Sequence, residues 1–365
     1  MASEHDLFCL IMAGGSGTRF WPWSRAEKPK QFLAIGTERP LLVETIDRLA
    51  PLVPRSRIRI VAGREHAHLV AETMPALTEN QVILEPCPRN TAPCIGLAAL
   101  HVSQEAPEAV LAVMPADHHI GDVSAFLARI DEAATAAAAG KIVTLGITPT
   151  RPETGYGYIE TEAKFSLEPS ILPVKRFVEK PDLETAKRYL VSGRHLWNSG
   201  MFFFRCDIIL EAIRTYLPEL SQALDTLRPH LGRHSYHDTL TRLFKKLEGI
   251  SIDYGIMEPL SQAEGGIDLC VIPSDIEWND VGHWSALTDF ADLDDAGNVR
   301  GQADLLVSCS NSVFQTDSGM IAAIGISDLV VVKRGDVVLV CPRERAQDVR
   351  LLVDMLKGQG RDDMV

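Results

Sequence analysis

Leu7-Phe8-Cys9-Leu10-Ile11-Met12-Ala13-Gly14-Gly15-Ser16-Gly17-Thr18-Arg19-Phe20-Trp21-Pro22-Trp23-Ser24-Arg25, closing with Lys28-Pro29-Lys30-Gln31-Phe32, decides how this chain is read. Leu7 to Met12 is an unbroken apolar run, the pattern of a strand buried on both faces. Gly14, Gly15 and Gly17 then free the backbone to turn so that its N–H groups, including that of Thr18, can face an anion. Arg19 and Lys30 bracket the turn with a planar fork and a mobile point charge. Strand, glycine turn and two cations make a grip suited to a triphosphate.

Two better-known glycine loops fail on spacing. A P-loop requires Gly-x-x-x-x-Gly-Lys-[Ser/Thr], and no lysine stands in that position. The dinucleotide pattern Gly-x-Gly-x-x-Gly would need a glycine near Phe20, where the chain reads Phe-Trp-Pro-Trp. The whole stretch resembles the signature of sugar-nucleotide pyrophosphorylases, Gly-Gly-x-Gly-x-Arg-[Leu/Phe]-x-Pro-x-[Ser/Thr] followed by Pro-Lys. Its ending Lys-Pro-Lys-Gln-Phe is similar to the mannose-1-phosphate guanylyltransferase branch.

The bulk composition bounds the alternatives. With 365 residues the chain can bury a large core. Its 36 basic and 49 acidic residues leave a net charge of -13, which argues against a general nucleic-acid or membrane-surface binder. An acidic protein that handles phosphates must concentrate its cations locally, as the opening loop does. The start Met-Ala-Ser-Glu-His-Asp lacks the basic and apolar segments of a signal peptide, and no apolar run has the length of a membrane span. Seven scattered cysteines without a Cys-x-x-Cys pair suit free thiols in a reducing cytosol.

Outward from the loop, strands and helices alternate. Strands are expected at 7–12, 58–62, 82–84, 110–114 and 142–146, with helices over 42–50, 65–74, 91–105 and 123–139. That rhythm implies an α/β fold, a mostly parallel Rossmann-like sheet covered by helices on both faces. Gly14, Glu85 and Asp117 each fall where a strand ends, so one crevice can hold all three. From about residue 150 the runs shorten into an inserted β-rich region, followed by helices over 207–248 and a strand at 267–272. Residues 1–293 are read as a catalytic domain. Residues 294–365 are read as a small β-helix-like appendage of short strands with a final helix and a frayed tail over 357–365.

Several constellations match the same family in chain order. Glu85-Pro86-Cys87-Pro88-Arg89-Asn90-Thr91-Ala92-Pro93 resembles its Glu-Pro-x-x-Arg-Asn-Thr-Ala-Pro block. Guanine presents two adjacent donors that a carboxylate accepts, making Glu85 a candidate base reader. Asn90 and Thr91 are candidate nucleotide contacts, unless either is only a helix cap. Asp117 in Ala-Asp-His and Asp280 in Trp-Asn-Asp-Val-Gly supply two distant carboxylates, as Mg2+ shared with phosphates and water requires. His118 and His119 are read as support rather than ligands, because Mg2+ prefers oxygen. Pro229 and Gly232 interrupt the His230, His234, His237 set and argue against zinc. Phe177-Val178-Glu179-Lys180-Pro181 resembles the family's sugar-phosphate motif: Glu179 for paired hydroxyls, Lys180 for the phosphate. Gly155 and Gly157 let backbone approach the sugar, and Asn198 stands in the Asn-Ser-Gly contact. Ile252-Asp253-Tyr254-Gly255-Ile256-Met257-Glu258 is a further family block without a legible role, and Phe202–Phe204 is read as core.

The resemblance covers nearly the whole chain and implies a glycosyltransferase-A-like nucleotidyltransferase. It would transfer GMP from GTP to α-D-mannose 1-phosphate, with Mg2+ as cofactor, giving GDP-mannose and pyrophosphate. Attack would be in line at the α-phosphorus without a covalent enzyme intermediate. Arg19 and Lys30 would neutralise the nucleotide phosphates, Lys180 would place the nucleophile, and Asp117 and Asp280 would hold the metal. A cytoplasmic homodimer is expected, with no nucleic-acid or membrane partner. Because the chain ends at Val365, before the isomerase domain into which many relatives continue, isomerase activity is not expected. Two alternatives stay open: another NTP or hexose 1-phosphate, and a regulatory subunit that senses sugar nucleotides without turnover.

Overall fold

The computed structural model describes residues 6–15, 17–162, 170–263, 265–301 and 304–365; Ser16 of the opening loop and the N-terminal residues 1–5 read above lie outside them. Strands are numbered in chain order: β1 Leu7–Met12, β2 Ile58–Gly63, β3 Val82–Glu85, β4 Val110–Pro115, β5 His119–Ile120, β6 Ile142–Ile147, β7 Gly157–Thr161, β8 Leu172–Glu179, β9 His195–Arg205, β10 Leu269–Ser274, β11 Trp278–Asn279, β12 Leu305–Val307, β13 Val313–Thr316, β14 Ala322–Ile324, β15 Leu329–Arg334 and β16 Val337–Pro342. Nine of them form one sheet in the order β3-β2-β1-β4-β9-β6-β10-β8-β7.

Strand β1 shows why the sheet is covered twice. Leu7, Cys9 and Ile11 enter the core on one face, and Phe8 and Leu10 enter the core on the other. A strand buried on both sides has no polar alternation, hence the continuous apolar run. Helices Leu41–Leu49 and Val123–Ala138 pack on the first face, and helix Thr91–Glu105 on the second. The last carries Gly96, Ala98 and Ala99 where neighbours press close: a Cβ at Gly96 would sit 3.0 Å from Ile213 and from Leu224.

The pairing is parallel along β3-β2-β1-β4 and between β6 and β10. The strand β9 lies between β4 and β6, antiparallel to both. The region expected as an inserted β-rich addition therefore supplies a strand in the middle of the main sheet. Eleven residues let β9 pair with β4 near its end, with β7 near its start and, across a register shift, with β6 at both. Phe202, Phe203 and Phe204 are core, on alternate faces.

A small antiparallel pair, β5 with β11, aligns Ile120 with Trp278 and His119 with Asn279. It holds the segments just after β4 and just before Val281 side by side. In the C-terminal part, β12 runs parallel to β14 and β13 to β15, as successive coils of a β-helix do, while β16 closes antiparallel on β15.

That part shares a core with the opening loop. Phe20, Trp21 and Trp284 pack with Val313, Val330, Val332, Leu339, Val353 and Val365. Trp23 Nε1 donates to the Lys333 carbonyl at 3.2 Å, and Arg334 donates to the Trp23 carbonyl. The tail expected to fray is docked. Trp21 Nε1 donates to the Met364 carbonyl at 2.7 Å, the Ala26 N–H donates to the Val365 carbonyl at 3.2 Å, and Val365 is buried. Loop tryptophans give the tail a surface that its own composition does not reveal. Deleting residues 362–365 should cost about 2–4 kcal/mol, the burial of one aliphatic side chain plus two hydrogen bonds. Thermal unfolding followed by tryptophan fluorescence measures it, and an unchanged midpoint would show that the tail is not held.

Candidate active site

Beyond the carboxyl ends of β1, β3 and β4 lies a cleft of about 500 Å³ lined by Gly14, Gly15, Glu85, Asn90, Thr91, Asp117, Tyr156, Gly157, Glu179, Asn198, Asp253 and Asp280, among others. Ligands gather there in open α/β sheets because loops and helix starts converge at that edge. Most of these were singled out in the sequence for a nucleotide, sugar or metal.

Lys30 holds the centre. Its buried Nζ donates to Asp117 Oδ2 at 2.9 Å and to the Asp280 carbonyl at 3.0 Å. A buried ammonium is tolerated only when paired and hydrogen-bonded, and these partners come from segments 87 and 250 residues away. Burial alone would raise the pKa of Asp117, but Lys30, His118 and the hydrogen bond from Lys30 bring it below the ordinary carboxylate value. The loop above is shaped to fit. Gly17 is left-handed, at φ 57°, and a Cβ there would lie 2.4 Å from Lys30 Cβ. Gln31 Nε2 donates to the Ala13 carbonyl at 2.7 Å, and Ser24 Oγ to the Gly17 carbonyl at 2.5 Å, pinning both ends of the turn. Thr18 and Arg19 open a single 3-10 turn beside this, with Arg19 exposed. Gly17, Thr18, Arg19, Lys30 and Lys180 are outside the lining set; Lys30 and Lys180 reach it through their carboxylate partners.

Asp280 is held from the other side by Tyr156, whose hydroxyl donates to Asp280 Oδ1 at 2.7 Å. Tyr156 packs edge-on against Trp197 and Trp278, and Trp278 Nε1 donates to His118 Nδ1 at 3.1 Å. His118 is therefore a support for the aromatic wall, with a pKa lowered chiefly by burial. His119 stacks on Phe290. Among the described residues no set of three or more His, Cys, Asp or Glu is placed to hold a metal, the His230, His234, His237 set included. Asp117 and Asp280 offer carboxylate oxygens only, so a hard cation would have to take its remaining oxygens from water or a phosphate ligand, as Mg2+ does. The donor chemistry fits that ion.

At one end of the cleft stands Glu85, 7% exposed, whose Oε1 has no hydrogen-bond partner among the described residues. Burial, with a smaller contribution from the charge of Glu65, pushes its pKa up to about 8. An unpartnered buried acceptor is expensive unless a ligand completes it. Asn90 is the cap of helix Thr91–Glu105, its Oδ1 accepting from the Thr91 N–H at 2.9 Å, and Thr91 Oγ1 accepts from the Ile252 N–H at 2.8 Å. Both also line the cleft. Arg89 serves the scaffold, donating to the Phe244 and Lys245 carbonyls at 2.6 and 2.9 Å.

At the other end Lys180 Nζ pairs with Glu179 Oε1 at 2.9 Å. A Cβ at Gly157 would lie 2.4 Å from Glu179 Oε2 and 3.3 Å from Asn198 Cβ, so a larger residue there would displace the Glu179 carboxylate from its place in the cleft. Asn90, Lys180, Glu277 and Val281 all have positive φ, between 46° and 66°. Such strain in non-glycine residues collects at functional sites, and nothing in single-residue propensity announces it. Two residues that the sequence left without a role also belong here: Tyr156, flanked by the two glycines, and Asp253. For both, the only available signal was their place inside recognised blocks.

Comparison with known proteins follows the same lines. The Nucleotidyl transferase family model matches residues 8–296, and a MannoseP isomerase/GMP-like beta-helix domain matches 303–356. The chain is 41% identical over 361 residues to the Xanthan biosynthesis protein XanB of Xanthomonas campestris pv. campestris, covering 98% of this chain and 75% of that one. It is 39% identical over 372 residues to the mannose-1-phosphate guanylyltransferase of Escherichia coli K12, covering 99% and 76%. A crystal structure from Thermus thermophilus, described as a mannose-1-phosphate geranyltransferase, superposes with a TM-score of 0.86 at 36% identity over 96% of this chain and 99% of that one.

Glu85 makes the site costly to the fold. Its carboxyl titrates at about 8 when folded, against an ordinary 4.5. Between those values the folded protein keeps a proton that the unfolded chain has released, so stability falls as pH rises through that window. Glu85→Gln removes this slope. Its melting temperature should match wild type at pH 5 and exceed it at pH 8; equal temperatures at both would contradict the buried, unpaired carboxyl.

Proposed function

The chain belongs to the nucleotidyl transferase family, and we propose on that premise that it is a mannose-1-phosphate guanylyltransferase, moving GMP from GTP to mannose 1-phosphate and releasing pyrophosphate. The observation that carries this reading is the cleft's polarity. A buried, unpartnered carboxyl stands at one end, a carboxylate–lysine pair with an asparagine at the other, and between them a buried lysine joins the Asp117 carboxylate to the Asp280 carbonyl.

Guanine would complete Glu85 with its N1–H and 2-amino donors, with Asn90 and Thr91 alongside. The amides of Gly14, Gly15, Gly17 and Thr18 would face the triphosphate, and Arg19 and Lys30 would neutralise it. Glu179, Asn198 and the backbone of Gly157 would seat the sugar, with Lys180 on its phosphate. An oxygen of the sugar phosphate then attacks the α-phosphorus, and the bond from that phosphorus to the bridging oxygen breaks, releasing pyrophosphate. Positioning and charge neutralisation supply the rate, so no protein nucleophile is required. Cys94, the one thiol among the described lining residues, is held protonated, its pKa raised first by burial and then by the charge of Glu85.

Nucleotidyltransferases of this family generally use a divalent metal; here we take it to be Mg2+, held by Asp117 and Asp280. When bound, it supplies Lewis-acid neutralisation of the phosphate oxygens. The same reading divides the chain near residue 293 into catalytic and β-helix-like parts. It places the protein in the cytoplasm as a homodimer. No described helix is long and apolar enough to cross a membrane.

Pyrophosphate release across GTP, ATP, UTP and dTTP, each with mannose or glucose 1-phosphate, tests the reading. GTP with mannose 1-phosphate should lead the other bases by at least ~100-fold, because a base that cannot donate twice leaves Glu85 unpaired. Chelation of Mg2+, or Asp280→Ala, should abolish turnover. Since the ionised form of Glu85 receives guanine, KM for GTP should fall as pH rises from about 6.5 to about 8.5, through the window set by that carboxyl. Turnover that favours another base, or persists without metal, overturns the assignment.

A further inference from the structure

We propose that Asp253 determines sugar specificity: its carboxylate fixes the side-chain amide of Asn198 and, opposite Glu179, forms a second acceptor for the hydroxyls of the hexose phosphate. The inference rests on the transferase reading and assigns a residue to its sugar end.

Asp253 opens a single π-turn, Asp253–Met257, and lines the cleft. Isolated π-turns recur at functional sites because they re-aim one side chain out of the helical pattern. The turn is anchored at its start, where the Ile252 N–H donates to Thr91 Oγ1 and the Ala92 N–H donates to the Ile250 carbonyl at 3.1 Å. Asp253 is thus fixed to the start of the same helix that borders the base end.

Its oxygen Oδ1 accepts from Asn198 Nδ2 at 2.9 Å. Asn198 Oδ1 in turn accepts from the Gly200 N–H at 3.2 Å and lies 3.2 Å from Thr144 Oγ1, whose hydroxyl donates to the Met201 carbonyl at 2.9 Å. With a carboxylate on one side and an N–H donor on the other, only one orientation of the amide satisfies both. A flipped Asn198 would set oxygen against carboxylate and NH2 against N–H. Asp253 therefore decides which way Asn198 faces the sugar.

Holding the amide alone would not require a charge, since an asparagine could accept the same hydrogen bond. A half-buried carboxylate beside a second one is costly. Burial, followed by the charge of Glu179, pushes the pKa of Asp253 up to about 6, and Lys180 opposes them. Lys180 is itself paired with Glu179. This end of the cleft is rich in acceptors and short of donors, the condition that a polyhydroxylated ligand relieves.

Asp253→Asn tests the assignment, because it preserves the shape and the acceptor for Asn198 while removing the charge and one acceptor. KM for mannose 1-phosphate should rise about tenfold or more with KM for GTP within about twofold, the size of one lost hydrogen bond to a charged group. The preference for mannose over glucose 1-phosphate should fall at least about fivefold. Below pH 6 both proteins weaken as the sugar phosphate itself takes up a proton, but wild type should lose affinity more steeply than the variant; the charged groups facing Asp253 are Glu179 and Lys180. An unchanged melting temperature separates these effects from unfolding. Equal rises in both KM values, or a sugar preference within about twofold of wild type, overturn the proposal. Wild-type turnover of GTP with mannose 1-phosphate is the control for the transferase reading, so an active wild type whose KM ignores the substitution refutes this inference alone.

Discussion

A lysine ammonium buried between Asp117 and the carbonyl of Asp280 governs how the site is assembled. Its charge is tolerable only because the two partners satisfy it, and each of the three comes from a different part of the chain. Lys30 follows the glycine turn after β1, Asp117 follows β4, and Asp280 follows β11. The short β5–β11 pair holds the last two segments together, and Gly17 leaves Lys30 room to reach them. Removing the Lys30 ammonium leaves both Asp117 Oδ2 and the Asp280 carbonyl without this donor.

The C-terminal strands bear on the same place from behind. Their core is continuous with Phe20, Trp21 and Trp284, and hydrogen bonds from Trp21, Trp23 and Arg334 tie the loop backbone to β15 and to the tail. Trp284 Nε1 also donates to the Trp21 carbonyl at 3.0 Å. A glycine-rich loop loses a large entropy when it is held in one conformation. Packing its tryptophan-rich second half into another part of the protein offsets that cost where the first half must stay open to a ligand.

Much of this is legible in the sequence where the physics is local. The strand Leu7–Met12 and the helix Thr91–Glu105 can be read residue by residue, because burial on both faces and clean ends leave unambiguous patterns. The two aspartates and Glu179-Lys180 are legible through the resemblance of their blocks to the family's motifs, since a lone aspartate or a Glu-Lys pair carries no such signal. Less is legible where the cause lies far away. That β9 enters the middle of the sheet depends on pairing with β4 and β6, which no run of phenylalanines specifies. The tail looks polar and loose until the loop tryptophans are placed against it. Tyr156 and Asp253 acquire roles only from what they touch, Asp280 and Asn198, 124 and 55 residues away.

In the proposed reaction the nucleotidyl group passes directly between the two ends of one cleft, with no residue of the protein bonded to phosphorus on the way. The stereochemical course at the α-phosphorus distinguishes this from a two-step route, using GTP with sulfur in place of one α-oxygen and phosphorus NMR of the sugar-nucleotide product. A single in-line displacement predicts inversion of configuration. Retention would require two displacements, and with them a covalent enzyme intermediate that this arrangement of lysine, aspartates and glycine amides does not provide.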